Sequence, residues 1–135
     1  MKTRLAQCSC GQLRVTCVGD PAIVGICCCA ACQRRTGSAY SVGAYFPKEQ
    51  VTAIEGASKI YERGSDAGRW VRFRFCTECG VTVCWEPERR PGIVGVTIGA
   101  FPDPSTLEPV VAVWASQKAS WTPLPDGIAV HEQQL

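Results

Sequence analysis

Apolar and polar residues alternate with a period of two in many short stretches of the chain, and this pattern predicts β-strands. The stretches are residues 13–17, 41–46, 51–54, 59–62, 70–75, 81–85, 93–98 and 110–114. Those at 51–54 and 59–62 flank Gly56 and are predicted to form a hairpin. Thirteen Gly and nine Pro residues, spread through the chain, indicate tight turns between strands. Since the sequence shows no amphipathic helix of three turns, no internal repeat and no linker, it predicts an all-β fold.

The strand predicted at 70–75 separates an apolar face from a basic one. The basic face holds Trp70, Arg72 and Arg74 and, just beyond the strand, Cys76. Basic residues interleaved with aromatic ones occur in proteins that bind nucleic acid. A solvated sheet surface, or the lining of a pocket for an anionic ligand, explains the same pattern. We therefore expect no nucleic acid partner.

The composition is that of an ordinary globular protein. The 135 residues, of which 46% are hydrophobic and 19% charged, suit a single domain spanning 1–135. No run of about 18 apolar residues occurs, so we expect no membrane span. The N-terminal residues lack an apolar stretch of signal-peptide length, and we expect a cytoplasmic protein with reduced thiols. The formal charge of +2 counts every cysteine as neutral, and thiolates on a metal would make it negative, which argues against a generally basic surface.

Cysteine is the residue type that points to specific chemistry. The chain has ten cysteines but one histidine, His131. In a reducing compartment, clustered cysteines are typical of metal sites rather than disulfides. Seven of the ten fall into three groups, which are Cys8 and Cys10, then Cys27, Cys29 and Cys32, then Cys76 and Cys79. Any metal site must therefore be built mainly from thiolates, and a catalytic system that needs a second histidine is excluded.

The two outer groups together supply four ligands, the set for a closed tetrahedral zinc site. Zn–S bonds of about 2.3 Å place tetrahedral sulfurs roughly 3.8 Å apart, which cysteines one or two residues apart can reach in a tight turn. Gly11 and Gly80 directly follow the pairs and allow backbone N–H groups to turn toward the sulfurs. Such a zinc would close about 65 residues of chain and stabilise the fold. The alternative is that these are reduced, buried cysteines that act as small apolar side chains.

The middle group offers three ligands, Cys27, Cys29 and Cys32, to a second zinc. A fourth position is then left for water or a substrate thiolate, where zinc can hold a thiol as thiolate or polarise an aldehyde oxygen. Neighbouring side chains usually diverge, so we expect Cys28 to be a packed thiol. If Cys28 instead bends inward, the site is closed and structural. Cys17 and Cys84 are predicted to be buried strand residues, not ligands.

Taken in this order, the three groups resemble the glutathione-dependent formaldehyde-activating enzymes, a family that includes centromere protein V. The resemblance rests on Cys8-Ser-Cys10-Gly11, on Cys27-x-Cys29-x-x-Cys32 with residues 33–40, on residues 75–80, on Glu86, and on Trp114-Ala-Ser116 through Trp121. It implies a β-tent fold of small antiparallel sheets with a core at about 5–127. It also implies a structural zinc on Cys8, Cys10, Cys76 and Cys79 and a second, labile zinc on Cys27, Cys29 and Cys32.

The resemblance further implies a carbon–sulfur lyase-type enzyme. It would join glutathione, or a similar small thiol, to formaldehyde or another aldehyde, giving S-hydroxymethylglutathione. Arg34, Ser38 and Tyr40, just beyond the ligand loop, are candidates to bind the anionic peptide or to protonate the product alkoxide. Alternatively, Ser38 and Tyr40 begin the next strand and Arg34 caps a turn. Many relatives carry histidine where this chain has Cys28 and near the position of Ala112, so this pocket lacks an imidazole for proton transfer.

A function of a different class fits the same residues. Both zinc sites would be structural, and a sheet face would bind a protein or a nucleic acid. The enzyme hypothesis predicts one tight and one labile zinc, the labile one responding to added thiol. The binding-module hypothesis predicts two inert zinc ions and no thiol effect.

Overall fold

The computed structural model describes residues 1–65 and 68–134. Their strands form two β-sheets. The strands are β1 (Thr3–Gln7), β2 (Arg14–Val18), β3 (Ile23–Cys27), β4 (Ser41–Pro47), β5 (Val51–Glu55), β6 (Ser58–Gly64), β7 (Trp70–Cys76), β8 (Thr82–Pro87), β9 (Ile93–Thr97), β10 (Val111–Val113) and β11 (Ala129–Val130). One sheet has the order β1-β2-β5, and the other has the order β11-β10-β3-β4-β9-β8-β7-β6. The predicted all-β fold class is thus confirmed.

Helices are few and short in the described part of the chain. The α-helix is α1 (Ala30–Thr36), and single 3-10 turns cover Lys48–Gln50, Ile98–Ala100, Pro104–Thr106 and Ala115–Gln117. Within residues 1–65 and 68–134, no helix is both long and apolar enough to cross a membrane.

The large sheet is not wholly antiparallel, in contrast to the prediction. Strand β10 runs parallel to β3 and also parallel to β11. Parallel neighbours need a long connection instead of a tight turn, and here the chain crosses most of the large sheet between β3 and β10. Strands β1 and β11 both include residues outside the predicted core at 5–127.

The predicted hairpin around Gly56 is wrong. Strand β5 pairs with β2 in the small sheet, whereas β6 pairs with β7 in the large sheet. Gly56 has φ of 101°, and a Cβ there would lie 1.9 Å from the carbonyl oxygen of Gln12. The glycine therefore allows the chain to pass from one sheet to the other against the loop before β2.

The main core lies between the two sheets. Its largest fully buried side chains include Leu13 and Val15 from the small sheet side and Phe46, Val83 and Val96 from the large sheet. Cys17 and Cys84 belong to the same core, so both are buried as predicted. A smaller cluster of Ile26, Cys28 and Ala112 packs beside it with Tyr40, Val42, Leu124 and Ile128. The opposite face of the large sheet lies next to α1.

Candidate functional site

Two loops bring the outer cysteine groups together. Cys8 and Cys10 lie between β1 and β2, whereas Cys76 ends β7 and Cys79 lies in the turn to β8. All four Sγ atoms lie within 4.8 Å of one another. The Sγ of Cys10 is 3.6 Å from the Sγ of Cys8 and 3.6 Å from the Sγ of Cys76. Because one loop belongs to each sheet, a cation held here would join the two sheets.

The two loops share a hydrogen-bonding pattern. The N–H of Gly11 donates to the carbonyl of Cys8 at 3.0 Å, and the N–H of Gly80 donates to the carbonyl of Cys76 at 2.9 Å. The two glycines have φ of 81° and 76°. Leu13 donates its N–H to the Sγ of Cys8 at 3.2 Å, and the Sγ of Cys76 accepts a backbone N–H at 3.3 Å. The loops therefore aim N–H donors at the sulfurs, as the trailing glycines indicated.

The environment of Cys8 favours its thiolate. Burial raises the pKa of Cys8, but the N–H of Leu13 and the thiols of Cys10, Cys79 and Cys76 outweigh burial and bring the pKa to about 6. A cluster that carries negative charge at neutral pH is prepared to bind a cation.

The middle group converges where β3 passes into α1. Cys27 ends β3, Cys29 caps the helix, and Cys32 lies in its first turn. Their Sγ atoms lie within 4.8 Å of one another. The Sγ of Cys29 accepts the N–H of Cys32 at 3.3 Å, which is a helix cap made by sulfur. The interval between the cysteines is thus set by one turn of helix.

Charge in this group is concentrated on Cys32. Hydrogen bonds from Cys27 and Cys29, with smaller contributions from the Ser41 hydroxyl and the positive charge of Arg35, outweigh burial and hold the pKa of Cys32 at about 2. The pKa of Cys27 is raised by its hydrogen bonds to Cys29 and Cys32 and by burial. The pKa of Cys29 is raised as well, so the site holds one thiolate, on Cys32, between two protonated thiols and beside the guanidinium of Arg35.

Cys28 is a packed thiol, as predicted. It is fully buried in the cluster with Ile26 and Ala112, and it is not one of the three convergent thiols. Its N–H donates to the carbonyl of Val113 at 3.0 Å, and its carbonyl accepts the side-chain amide of Gln33 at 2.9 Å. These bonds fix the ligand loop between β10 and α1.

The three thiols open into a cavity of about 310 Å³ between α1 and the large sheet. Its aromatic residues are Tyr45, Trp70, Phe73, Trp85 and Trp114, and its arginines are Arg34, Arg35, Arg63, Arg69 and Arg89. No Asp or Glu of residues 1–65 and 68–134 lines this cavity. The lining therefore combines a thiol group, apolar planes and strong positive charge, which suits a small anionic ligand.

Two of the five cavity guanidiniums lie against aromatic rings. That of Arg35 lies 5.1 Å from the centroid of Phe73 and 4.8 Å from that of Trp85. That of Arg63 lies 5.1 Å from the centroid of Phe73. The Nε of Arg35 is buried and has no hydrogen-bond partner among the described residues. Buried polar atoms normally have partners, so this donor is available to a ligand.

The three residues predicted to contact substrate separate into two sets. Arg34 lines the cavity. Ser38 and Tyr40 lie outside its lining: the hydroxyl of Ser38 donates to the carbonyl of Tyr40 at 2.9 Å, and Tyr40 packs against the smaller core cluster. They shape the turn that leads into β4, which is the alternative considered from the sequence. A substrate-binding role for Ser38 and Tyr40 stays a prediction that the cavity geometry does not support.

Sequence reasoning missed Tyr45, which lines the cavity beside Trp85. Their rings pack edge to face with centroids 6.1 Å apart. Burial raises the pKa of Tyr45, so its phenol stays protonated at neutral pH. The signal that could have found this pair is a glycine inside each of two strands, Gly43 and Gly95, which indicates close approach of another group.

Both cysteine groups fit a zinc ion. Sulfur separations of 3.6 Å in the first group agree with the roughly 3.8 Å between the sulfurs of a tetrahedral zinc site. The second group offers three thiols at the cavity wall, so a fourth ligand would come from whatever the cavity contains. The structure shows that both groups could hold a metal ion.

Comparison with known proteins assigns the family. The family model described as GFA, glutathione-dependent formaldehyde-activating enzyme, matches residues 3–117. The chain therefore belongs to this family, and the predicted resemblance is confirmed.

A curated protein of Fusarium vanettenii is 33% identical to the chain over 75 residues, and it is named "Putative glutathione-dependent formaldehyde-activating enzyme". The match covers 56% of this chain and 39% of the length of that relative. A crystal structure of a Rhodobacter sphaeroides protein superposes with a TM-score of 0.56 at 18% identity, covering 94% of this chain and 98% of the other. That likeness supports the fold.

Proposed function

We propose that this protein is a zinc-dependent enzyme that joins a small thiol such as glutathione to formaldehyde, or catalyses the reverse cleavage. The observation that carries the proposal is the convergence of Cys27, Cys29 and Cys32 at the wall of an arginine-lined cavity. The family description agrees with the substrate pair. Because such an enzyme needs reduced thiols, we also propose a cytoplasmic location, in keeping with ten free cysteines in the structure.

Two zinc ions have distinct places in this proposal. Cys8, Cys10, Cys76 and Cys79 would hold a structural zinc, and Cys27, Cys29 and Cys32 would hold a labile one. The labile zinc would supply a Lewis acid and a coordination position that stabilises a thiolate.

The reaction forms one carbon–sulfur bond and moves one proton. The substrate thiolate attacks the formaldehyde carbon, the carbonyl π electrons move to oxygen, and the alkoxide takes a proton from Tyr45, whose phenol is restored by the proton that the thiol released. Guanidiniums of the cavity, such as those of Arg63 and Arg89, bind the carboxylates of the thiol and orient its sulfur toward the cysteine group. Tyr45 lines the same cavity and is the proposed proton donor to the alkoxide.

This proton donor differs from the candidates predicted from the sequence. Tyr40 packs in the smaller core cluster, whereas Tyr45 lines the cavity together with Cys27 and Cys32. The phenol of Tyr45 is protonated at neutral pH, and its raised pKa makes it a weak acid that can donate only to a strong base such as the product alkoxide. Its position in the cavity makes it the candidate for the step in which many relatives are expected to use an imidazole.

Exchange spectroscopy tests the proposal directly. Because formaldehyde and glutathione also form the adduct without a catalyst, exchange of carbon-13 between free and bound formaldehyde is measured with and without the zinc-loaded protein. We expect faster exchange with the protein, loss of the acceleration in Cys32→Ser, and a decrease of about a hundredfold in Tyr45→Phe. Tyr40→Phe, which removes a phenol that packs in the smaller core cluster outside the cavity lining, is the matched control and should leave the rate unchanged.

Exchange no faster than in buffer, with two zinc ions that do not respond to glutathione, would instead favour the binding-module hypothesis. Salt-sensitive binding of nucleic acid would then become the next measurement.

A further inference from the structure

Among the acidic and basic residues of the described chain, only arginines line the cavity. Its five arginines come from four places in the fold: Arg34 and Arg35 from α1, Arg63 from β6, Arg69 from the start of β7, and Arg89 from the loop after β8. Because these arginines come from separate elements, the alternation of one amphipathic strand does not explain them. Their convergence is a property of the cavity.

Apart from the Cys32 thiolate beside Arg35, these arginines have no counter-ions in the described part of the chain. The ion pairs found there are Arg4 with Asp20 and Arg72 with Glu62, and neither includes a cavity arginine. Burial, and to a smaller extent the neighbouring Arg90, lowers the pKa of Arg89, as expected for a guanidinium partly removed from water. Guanidiniums held close together without carboxylates favour binding of an anion.

A second cavity of about 460 Å³ continues from the first. Both are lined by Ala31, Arg34, Arg35, Arg63 and Phe73, and the second extends to Tyr61, Phe75, Gly80 and Thr82. Arg34, Arg35 and Arg63 thus stand where the two cavities meet. A ligand whose thiol lies near Cys27, Cys29 and Cys32 could pass this junction and continue along β6 and β7.

We infer that the thiol substrate is bound as a polyanion, through at least two carboxylate or phosphate groups, and that an ammonium group on the substrate weakens its binding. This inference rests on the proposed function, because it takes the cysteine group as the place of the reacting sulfur. The anionic groups lie among Arg34, Arg35 and Arg63 and near Arg89, and the tail extends into the second cavity.

Glutathione is an imperfect match to this lining. It carries two carboxylates but also an ammonium group, and an ammonium group among unpaired guanidiniums is repelled. A carboxylate that would neutralise it is absent from the lining formed by residues 1–65 and 68–134. Removing that ammonium should therefore strengthen binding.

Thiols that share the glutathione skeleton but differ in charge test the inference. Dissociation constants for the zinc-loaded protein are measured by calorimetry for glutathione, its N-acetyl derivative, which lacks the ammonium, and its diethyl ester, which lacks both carboxylates. We expect N-acetylglutathione to bind at least about fivefold tighter than glutathione, and the diethyl ester to bind most weakly. Glutathione binding as tightly as its N-acetyl derivative, or tighter, would overturn the inference.

Variants of single arginines test whether the cavity is where the anionic groups of the thiol bind. Arg63→Gln should weaken N-acetylglutathione by about tenfold and reduce its advantage over glutathione, while melting temperatures show that the fold is kept. Arg14→Gln removes the same charge from an exposed position on β2 and should change neither constant. Equal effects of the two variants would mean that net charge, and not the cavity, sets affinity, which would also contradict the inference.

Failure of this inference is distinguishable from failure of the proposed function. Fast formaldehyde exchange with a preference for glutathione refutes the polyanion inference alone. A preference for polyanionic thiols without any accelerated exchange refutes the proposed reaction and leaves the ligand class standing.

Discussion

Trp85 lies over two strands that have glycine where it makes contact. A Cβ on Gly95 would lie 2.4 Å from the indole Nε1, and a Cβ on Gly43 would lie 2.7 Å from the Cζ2 atom of the ring. Neither distance is sterically tolerable, so the indole takes its place only because both side chains are hydrogen. Trp85 in turn supports the guanidinium of Arg35 and the ring of Tyr45. Two residues without side chains thus position one wall of the cavity.

Gly95→Ala should displace Trp85 and disturb that wall. We expect a loss of stability of about 1–3 kcal/mol from overpacking, a shift in tryptophan emission and weaker binding of N-acetylglutathione. Urea unfolding and fluorescence titration measure these effects. Gly99→Ala is the control, because a Cβ there meets nothing within 4 Å. A Gly95→Ala protein with unchanged emission and affinity would show that Trp85 does not depend on this contact.

Cys17 and Cys84, two buried thiols outside both cysteine groups, make the free energy of unfolding depend on pH in the alkaline range. Burial is the largest influence on each, and it raises the pKa of Cys17 to about 11 and that of Cys84 to about 12. Both thiols stay protonated in the folded protein above pH 9.0, the ordinary value, whereas the unfolded chain loses these protons. Their contribution is therefore fully present below pH 9.0 and decreases between pH 9.0 and about 12.

The double variant Cys17→Val/Cys84→Val should lose less stability than the parent between pH 9 and 11, because valine cannot ionise. Thermal unfolding at closely spaced pH values gives the difference, which removes contributions from other titrating groups. Parallel curves for the two proteins across this range would contradict the assignment.

At the scale of elements, the loop after β1 and the turn after β7 connect the two sheets. They belong to different sheets and meet through four Sγ atoms within 4.8 Å. A cation bound there constrains about 65 residues of chain, which contributes directly to folding. The middle group spans only the end of β3 and one turn of α1, so its cation would constrain little.

Cys76→Ser should therefore destabilise the whole protein by several kcal/mol, whereas Cys32→Ser should leave the melting temperature nearly unchanged and abolish the response of bound zinc to thiol. Calorimetry of both variants in the presence of zinc makes the comparison. A melting temperature that stays the same in Cys76→Ser would contradict a structural metal at the first group. Unfolding of Cys32→Ser would show that the middle group is structural.

The alternation of apolar and polar residues located most of the strands, but it did not predict which strands pair. Strands β4 to β9 follow the predicted stretches within a few residues. Strand β3, by contrast, is apolar at nearly every position around Gly25 because it is central in its sheet, and α1 is too short for a helical period to appear. The pairing of β5 with β2 depends on contacts far apart in sequence, so a pattern read locally suggested a hairpin with β6.

At the scale of the whole molecule, the ligands were predictable and the cavity was not. Spacing of one or two residues marks cysteines that share a turn, and the structure groups the cysteines as the sequence indicated. The cavity gathers Arg35, Arg63, Trp85 and Arg89 from elements that meet only after both sheets have formed. Arg72 and Arg74, whose alternation suggested an anion site, instead contact Glu62 and Ser58 on β6.

Stepwise removal of metal should separate the two cysteine groups. A weak chelator should take one zinc per chain without change in circular dichroism, and glutathione should accelerate its release. A strong chelator should remove the second zinc together with the fold. Zinc release is followed with a colorimetric indicator and structure by far-ultraviolet spectra. Release of both ions in a single step that coincides with unfolding would contradict one structural and one labile site.

Along the chain, the strands of one sheet are interrupted by strands of the other. Strands β1, β2 and β5 build one sheet, while β3, β4 and all strands after β5 build the other. Any single crossover between genes of two relatives, placed anywhere from β1 to β11, therefore divides at least one sheet between two parents. Between Cys10 and Cys76 it also divides the sulfur cluster. Exchange of segments between relatives must therefore preserve contacts across both sheets, whereas substitutions and loop changes can be accommodated locally.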